Sequence, residues 1–340
     1  MTSPRGQRVL VTGGAGFIGS QLVRLLTEQE AFVVAADSLV NGQRRNLEGL
    51  PADRARLEVA DVRDRPTLAA LLRGVDLVFH LACLGVRHSL HSPDENHEVN
   101  ATATLHLLSA ARAAGVKRFV YVSSSEVYGT ARRVPMTEEH PTFPMTVYGA
   151  SKLAGECYTR AFWETYRYPT VVVRPFNAFG PRCHHEGDSG EVIPKFLLRC
   201  LAGRPMVVFG DGTQTRDFTY VADTAAGILA AGVADAAVGQ TINIGNGREI
   251  PINALAQTVA SVAGRPGAEV IHEAPRPGDV LRLYADTGKA KELLGFEPKV
   301  SLSQGLGLLR DWYLSCGHSP EALLEQEVVR NWERNEGVRG

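Results

Sequence analysis

Tyr148-Gly149-Ala150-Ser151-Lys152 sets a phenol and an ammonium one helical turn apart, so that on a helix both point to the same face. A positive charge beside a phenol lowers its pKa. A phenolate held beside a hydride acceptor can then take the proton of a hydroxyl as hydride leaves the same carbon. Ser124 is placed in the chain to share the resulting hydrogen bonds. The next two residues, Ser125 and Glu126, add a hydroxyl and a carboxylate that hydride transfer alone does not require. Tyr-x-x-x-Lys by itself is common on helix surfaces, and it acquires meaning only if the chain also holds a dinucleotide.

A dinucleotide motif is present. Gly13-Gly14-Ala15-Gly16-Phe17-Ile18-Gly19 follows the strand-like Val9-Leu10-Val11 and opens a helical stretch from Ser20 to Glu30. Gly13, Gly16 and Gly19 allow a tight turn, close backbone approach to a pyrophosphate and close helix packing, with Phe17 and Ile18 in the loop. The helix N-terminus favours the negative charge. Asp37 ends the next β-rich run, Val33 to Ala36, where a carboxylate accepts hydrogen bonds from a ribose 2′-hydroxyl and repels a 2′-phosphate. NAD is therefore expected rather than NADP. Arg44 and Arg45 follow either as a solvated loop or as receivers of that phosphate. Asp61-Val62 sits after a further β-rich segment and reads either as the support of an adenine edge or as a surface turn.

The elements that must position these groups alternate. Strand-like Leu77-Val78-Phe79, Phe119 to Val122 and Thr170 to Val173 are separated by helical stretches that include Asn100–Ala114 and Ser151–Tyr166. Such alternation implies an α/β fold with a doubly wound parallel sheet. Beyond Arg182 the pattern loosens into Cys183-His184-His185-Glu186-Gly187-Asp188-Ser189-Gly190 and short strands between prolines. We expect a dinucleotide-binding domain over 1–181 and a smaller mixed α/β substrate lobe over 182–340, with segments of the second returning to the first.

With 340 residues, 44% hydrophobic and 21% charged, the chain can bury a full core. Its 36 basic and 37 acidic residues leave a net charge of −1, which gives no electrostatic footprint for nucleic acid or an anionic membrane. No stretch approaches the roughly 18 apolar residues of a membrane span, and the N-terminus runs directly into a strand rather than a signal-peptide core. The expected address is cytoplasmic. Five widely spaced cysteines with no Cys-x-x-Cys pair read as reduced thiols, and no metal is expected: Cys183, His184 and His185 are adjacent in one loop without distant partners. His80, after an apolar strand, reads as a core or loop residue.

Taken together, these motifs resemble the extended short-chain dehydrogenase/reductase family of nucleotide-sugar epimerases, dehydratases and decarboxylases. The resemblance runs from Arg8 to about Tyr313. Besides the glycine loop and the Tyr148/Lys152 pair it rests on His80-Leu81-Ala82, Ser123-Ser124-Ser125-Glu126-Val127-Tyr128-Gly129, Arg174 to Arg182 and Phe209 to Phe218. It implies a Rossmann-like domain with tightly bound NAD, contacted also by Leu81 and Ala82, and a C-terminal lobe that grips a UDP-sugar or another nucleotide sugar. Arg87, Asn177, Arg182, Arg216, Arg276 and Asp279 are the substrate contacts it implies. Arg216 also makes sense alone, because a guanidinium binds phosphate oxygens through two parallel hydrogen bonds. The resemblance further implies a homodimer joined by a four-helix bundle.

Family members begin by oxidising the sugar at C4, and the neighbouring side chains decide the fate of the keto sugar. A 4-epimerase returns the hydride to the other face and needs no further acid or base. A 4,6-dehydratase commonly uses an Asp-Glu pair where this chain has Ser125-Glu126. UDP-glucuronate decarboxylases typically carry Ser-Glu-Val-Tyr-Gly, as here, and a His- and Asp-containing loop after Gly-Pro-Arg. On that basis the sequence favours decarboxylation of UDP-glucuronate to a UDP-4-keto-pentose or UDP-xylose. Tyr148 is the base, Lys152 lowers its pKa, Ser124 orients the substrate, and Glu126 with Ser125 manages the C5 carboxylate or proton. The alternatives are a UDP-sugar 4-epimerase, which Gly85-Val86-Arg87-His88-Ser89-Leu90 resembles more closely, then a dehydratase. A NAD-sensing regulator would keep the glycine loop but lose the tyrosine or lysine.

Overall fold

A computed structural model describes residues 3–187, 189–276, 280–330 and 332. Seven strands form one sheet: β1 (Arg8–Thr12), β2 (Phe32–Asp37), β3 (Ala55–Val59), β4 (Leu77–His80), β5 (Arg118–Val122), β6 (Thr170–Pro175) and, far along the chain, a strand at Thr241–Ile244. The sheet order places that last strand beside β6, then β5, β4, β1, β2 and β3, and every pairing is parallel. The expected doubly wound Rossmann-like sheet is thus present. Val9, Leu10 and Val11 are all fully buried, as required of a parallel strand covered on both faces.

The helices supply that cover. On one face α1 (Phe17–Glu28) sets Leu22 and Leu26 against Ile228 and Leu229 of the helix at Val221–Val233. On the other, α2 (Arg65–Leu71), α3 (Val86–His91), α4 (Pro93–His97), α5 (Ala103–Ala113) and α6 (Val147–Tyr166) follow in turn. Leu68, Leu107, Leu108 and Phe162 there bury against the sheet. Each such leucine contributes about 1.5–3 kcal/mol relative to exposure. Thr146 caps α6 by accepting from the Gly149 amide at 3.1 Å, so the helix begins before Tyr148 rather than at Ser151 as the sequence suggests.

The remaining elements are β7 (Asn177–Phe179), α7 (Val192–Leu201), β8 (Met206–Phe209), β9 (Thr215–Arg216), β10 (Phe218–Tyr220), α8 (Val221–Val233), β11 (Thr241–Ile244), β12 (Ile250–Pro251), α9 (Ile252–Val262), β13 (Val270–Glu273), α10 (Gly288–Leu294), α11 (Leu302–Ser315) and α12 (Pro320–Leu324). A separate apolar core joins Phe196 and Leu197 of α7 to Leu255 and Val259 of α9 and to Leu306 and Leu309 of α11. Three two-stranded pairings, β7 with β10, β9 with β12 and β8 with β13, run through this part. Among the described residues, no helix is long and apolar enough to cross a membrane.

Candidate active site

In the sheet order the chain reverses direction between β1 and β4, and ligands of doubly wound folds bind in the crevice at the carboxyl ends of such neighbouring strands. The loops after both strands meet there. Gly13 adopts φ +71°, and a Cβ on it would lie 2.7 Å from the Ala82 amide nitrogen. Gly19 brings α1 so close that a Cβ would sit 2.0 Å from the Gly13 carbonyl oxygen. Gly16 stands at the N-cap of α1 and supplies no side-chain cap, which suits first-turn amides to a pyrophosphate. Asp37 ends β2 with its carboxylate accepting from the Ala15 amide (2.9 Å) and the Leu39 amide (2.8 Å). It braces the glycine loop while keeping lone pairs for a diol. Phe17 is buried and Ile18 partly so, both against apolar cores. The cradle is made of backbone with the space of missing Cβ atoms, and it fits a dinucleotide.

Further along the rim the expected contacts have other local partners. Asp61 is gripped by Arg63 through Nε and Nη2, at 3.0 and 2.7 Å, and these bonds hold its carboxyl below the usual range. Val62 is buried, whereas Leu81 and Ala82 line the loop after β4 half-buried.

The groups that the sequence reading expects to react stand where β5 ends and α6 begins. Ser124 caps a single turn, Ser125–Val127, by accepting from the Glu126 amide at 3.2 Å. Its hydroxyl is near enough to the Tyr148 phenol to act on its pKa. Burial pushes that phenol well up, neighbouring Cys83 adds to the rise, the Ser124 hydroxyl draws it back, and the charge of Glu126 raises it again. Lys152, 1% exposed, donates to the Val122 carbonyl at 2.7 Å and lies 4.5 Å from the centre of the Tyr121 ring. Burial lowers its pKa, opposed by Cys83 and Glu156. The sequence reading looks to Lys152 to lower the phenol. Here the net direction is upward, because burial is the largest influence and the ammonium is directed at a backbone carbonyl.

Two neighbours of this group have other standings. Ser125 is 4% exposed, whereas Glu126 is half-buried. His80 is a core residue: Nδ1 meets the Thr12 hydroxyl at 2.6 Å and Nε2 the Thr104 hydroxyl at 2.9 Å, and burial holds its pKa down at about 3. Sequence reasoning misses Cys83, although it directly follows His80-Leu81-Ala82. Its place beside the phenol depends on the loop after β4 crossing to α6, which no local pattern announces.

A second cavity, open to solvent, is lined by Lys195 and Arg199 of α7, Phe209, Gln214 and Arg276. Burial and the charges of Arg276, Arg87 and Arg199 bring Lys195 down to about 8, against the opposing pull of Glu327. The expected Arg276 thus lines the same cavity as Lys195, a residue that sequence reasoning misses, and Arg87 is near enough for its charge to act on that lysine. Lys195 and Arg199 are one helical turn apart, which is a readable signal. Arg216 donates through Nη1 to the Thr215 and Val280 carbonyls, at 2.8 and 2.6 Å. The Asn177 side-chain oxygen is buried without a hydrogen-bond partner among the described residues. Asp279 and Asp188 lie outside the described residues.

Arg182 belongs elsewhere. It lines a separate cleft with Gln43, Arg45, His184 and Glu186, in a left-handed backbone conformation at φ +73°. There Gln43 donates to Glu186 at 3.1 Å. Against burial, bonds from His184 and from backbone amides hold Glu186 at about 2. Among the described residues, no three His, Cys, Asp or Glu side chains are grouped as metal ligands.

The sequence model of the NAD-dependent epimerase/dehydratase family matches residues 9–245. The chain belongs to this family. The family is NAD-dependent, and NAD is the cofactor of this chain. The UDP-glucose 4-epimerase of Mycolicibacterium smegmatis is 37% identical over 303 residues, which span 88% of this chain and 96% of that one. The dTDP-glucose 4,6-dehydratase of Streptomyces venezuelae, solved with NAD bound, superposes with a TM-score of 0.85 at 35% identity, over 91% of this chain and 97% of that one. The UDP-glucuronic acid 4-epimerase of Bacillus cereus, solved with a fluorinated UDP-glucuronic acid and NAD, gives a TM-score of 0.84 at 31% identity, over 90% and 98% of the two chains. Two of these three relatives are 4-epimerases of UDP-sugars and the third is a dehydratase. The chain is thus an enzyme of nucleotide-sugar modification, and these relatives back 4-epimerisation rather than the decarboxylation that the sequence reading puts first.

Proposed function

We propose that this enzyme is a UDP-sugar 4-epimerase working through a 4-keto intermediate. The observation that carries the reading is the likeness over nearly the whole chain to 4-epimerases of UDP-sugars, with Ser124 near enough to the Tyr148 phenol to act on it. NAD supplies, when bound, the two-electron acceptor and donor that a carbinol carbon needs. Tyr148 takes the proton from the C4 hydroxyl and later returns it to the C4 oxygen, with Ser124 holding that oxygen in line. The phenol begins high, so lowering it falls to positive charge brought close, and the buried ammonium of Lys152 one turn away is the group on this chain that can contribute it. Epimerisation demands no further acid or base. Ser125, being buried, needs no role in it, and Glu126 acts through its charge on the phenol.

Arg276 and Lys195, with Arg87 near, would hold the substrate diphosphate, Asn177 of β7 would line the approach, and so would Arg216 from the C-terminal portion that begins near residue 182. Arg182 would act from the neighbouring cleft. A homodimer through α5 and α6 belongs to the same reading, and a sedimentation mass of one chain at all concentrations would contradict it.

The deciding test offers the purified protein UDP-glucose, UDP-glucuronate and dTDP-glucose separately, following products by mass spectrometry and NMR. We expect an unchanged mass with inverted C4 from one of the UDP-sugars. Release of carbon dioxide from the glucuronate would restore the decarboxylase, and loss of water from a hexose would indicate a dehydratase.

A further inference from the structure

The cation-lined cavity is closed on one side by a stretch of chain that no motif predicts. After α12 the chain runs back across α7. The Gly187 amide donates to the Gln326 carbonyl at 2.8 Å, Glu327 accepts from Arg199 at 2.9 Å, and Lys195 donates to the Val328 carbonyl at 2.7 Å. Glu327 and Val329 line the cavity itself. Further on, Arg330 bonds Glu273 at 3.1 Å at the end of β13. Phe209, the register partner of Glu273 at the end of β8, meets Trp332 edge to face at 4.6 Å. The Arg276 guanidinium lies 5.3 Å from the centre of the Phe209 ring and 5.8 Å from that of Trp332. Two aromatic faces within about 6 Å of one guanidinium attract it and restrict its rotamers.

We propose that Gln326–Arg330 and Trp332 form a wall of the substrate site, and that Trp332, with Phe209, positions the Arg276 guanidinium for the diphosphate of a nucleotide sugar. Trp332 is a positioning residue, because it acts through Arg276. The inference rests on the nucleotide-sugar reading above and adds to it a determinant of substrate affinity contributed by the C-terminal tail. Lys195 and Arg199, which would otherwise be mobile cations, are held by the tail at the same wall. The charge of Glu327 balances them, so the cavity keeps enough positive potential for a diphosphate without the repulsion of crowded unpaired cations.

The experiment uses full-length, NAD-loaded protein and UDP as the probe. Calorimetry gives the Kd for UDP, and turnover of the active UDP-sugar gives KM and kcat. Trp332→Ala should weaken UDP binding and raise KM about tenfold with kcat little changed, as loss of a partly desolvated cation–π contact requires. Trp332→Phe should recover most of that loss. In an Arg276→Lys background, Trp332→Ala should add less than about a twofold further effect, since the two changes break the same interaction. Equal UDP affinity in wild type and Trp332→Ala would overturn the proposal, as would a full tenfold loss repeated in the Arg276→Lys background. If Trp332→Ala does not fold, amide hydrogen exchange of the wild type decides. Protection of 326–330 should rise on adding UDP, and no change would overturn the idea. A wild type that binds UDP, with variants that bind it equally, removes only this inference. A wild type that binds no UDP removes the nucleotide-sugar reading as well.

Discussion

The two ends of the site are built from different materials. At the NAD end the cradle is backbone: Gly13, Gly16 and Gly19 contribute by lacking side chains, and Asp37 braces the loop through two amides. At the other end the cavity is long side chains from distant segments, with Lys195, Arg199 and Arg276 around it and Arg87 close enough to shift the lysine. A backbone cradle tolerates almost no added volume, because the displaced atoms are themselves backbone. A surface of separate cations loses affinity by steps instead, because each contributes one interaction among several.

Five substitutions test that contrast. Tyr148→Phe, at the junction of the two ends, should cut kcat by about 10²–10⁴-fold, the usual contribution of a general acid–base group. NAD released on denaturation should stay at the wild-type level; turnover within tenfold of wild type would remove Tyr148 from the reaction.

Below both ends, Glu156 grips Arg174 at 2.8 and 2.6 Å in a pair that is almost wholly buried. Glu156→Ala should destabilise the fold by about 3–5 kcal/mol, since it leaves a buried guanidinium without its partner; denaturant titration reads this, and a loss under about 1 kcal/mol would mean that water or Tyr128 compensates.

At the backbone end, Gly19→Ala should yield protein largely stripped of NAD, and a full complement of NAD would break the comparison. At the side-chain end, Lys195→Met should raise KM for the nucleotide sugar about tenfold while NAD content stays unchanged. An all-or-none loss of NAD in that variant would equally break it.

The smallest effect concerns pH. Burial raises the Glu191 carboxyl from 4.5 to about 7, at the N-cap of α7. A carboxyl whose folded pKa is raised contributes stability that is present below its unfolded value and lost as pH rises through about 7. Glu191→Gln keeps the neutral form throughout. The variant's Tm should therefore gain on that of the wild type by about 2–4 °C between acidic and mildly alkaline buffer. A parallel pair of Tm curves would show that the carboxyl is already solvated.

How far the chain can be read in advance obeys the same division. The strands at Val9, Val33, Leu77, Phe119 and Thr170 are visible because a parallel strand buried on both faces is a continuous apolar run. β3 (Ala55–Val59) is half-exposed at the sheet edge and carries charged Arg56 and Glu58, so its signal is faint. β11 lies more than 60 residues beyond its partner β6, where no local period points back to the sheet. The Ser124, Tyr148 and Lys152 positions are recognisable as types and spacings. Cys83 reads, from sequence, only as a reduced thiol.

The sequence by itself determined the Rossmann-like sheet, the glycine cradle and the Tyr148/Lys152 spacing on which the proposed chemistry rests. Each depends on residues within a turn or a single strand–turn–helix unit, where allowed backbone angles and side-chain period leave few choices. Tertiary structure alone decided that burial would hold the phenol high, that Arg182 would face a different cleft from Arg276, and that the tail would reach Phe209. Those outcomes depend on how elements far apart in the chain pack against one another. Burial and distance set the charges there, and neither quantity exists until the core has closed.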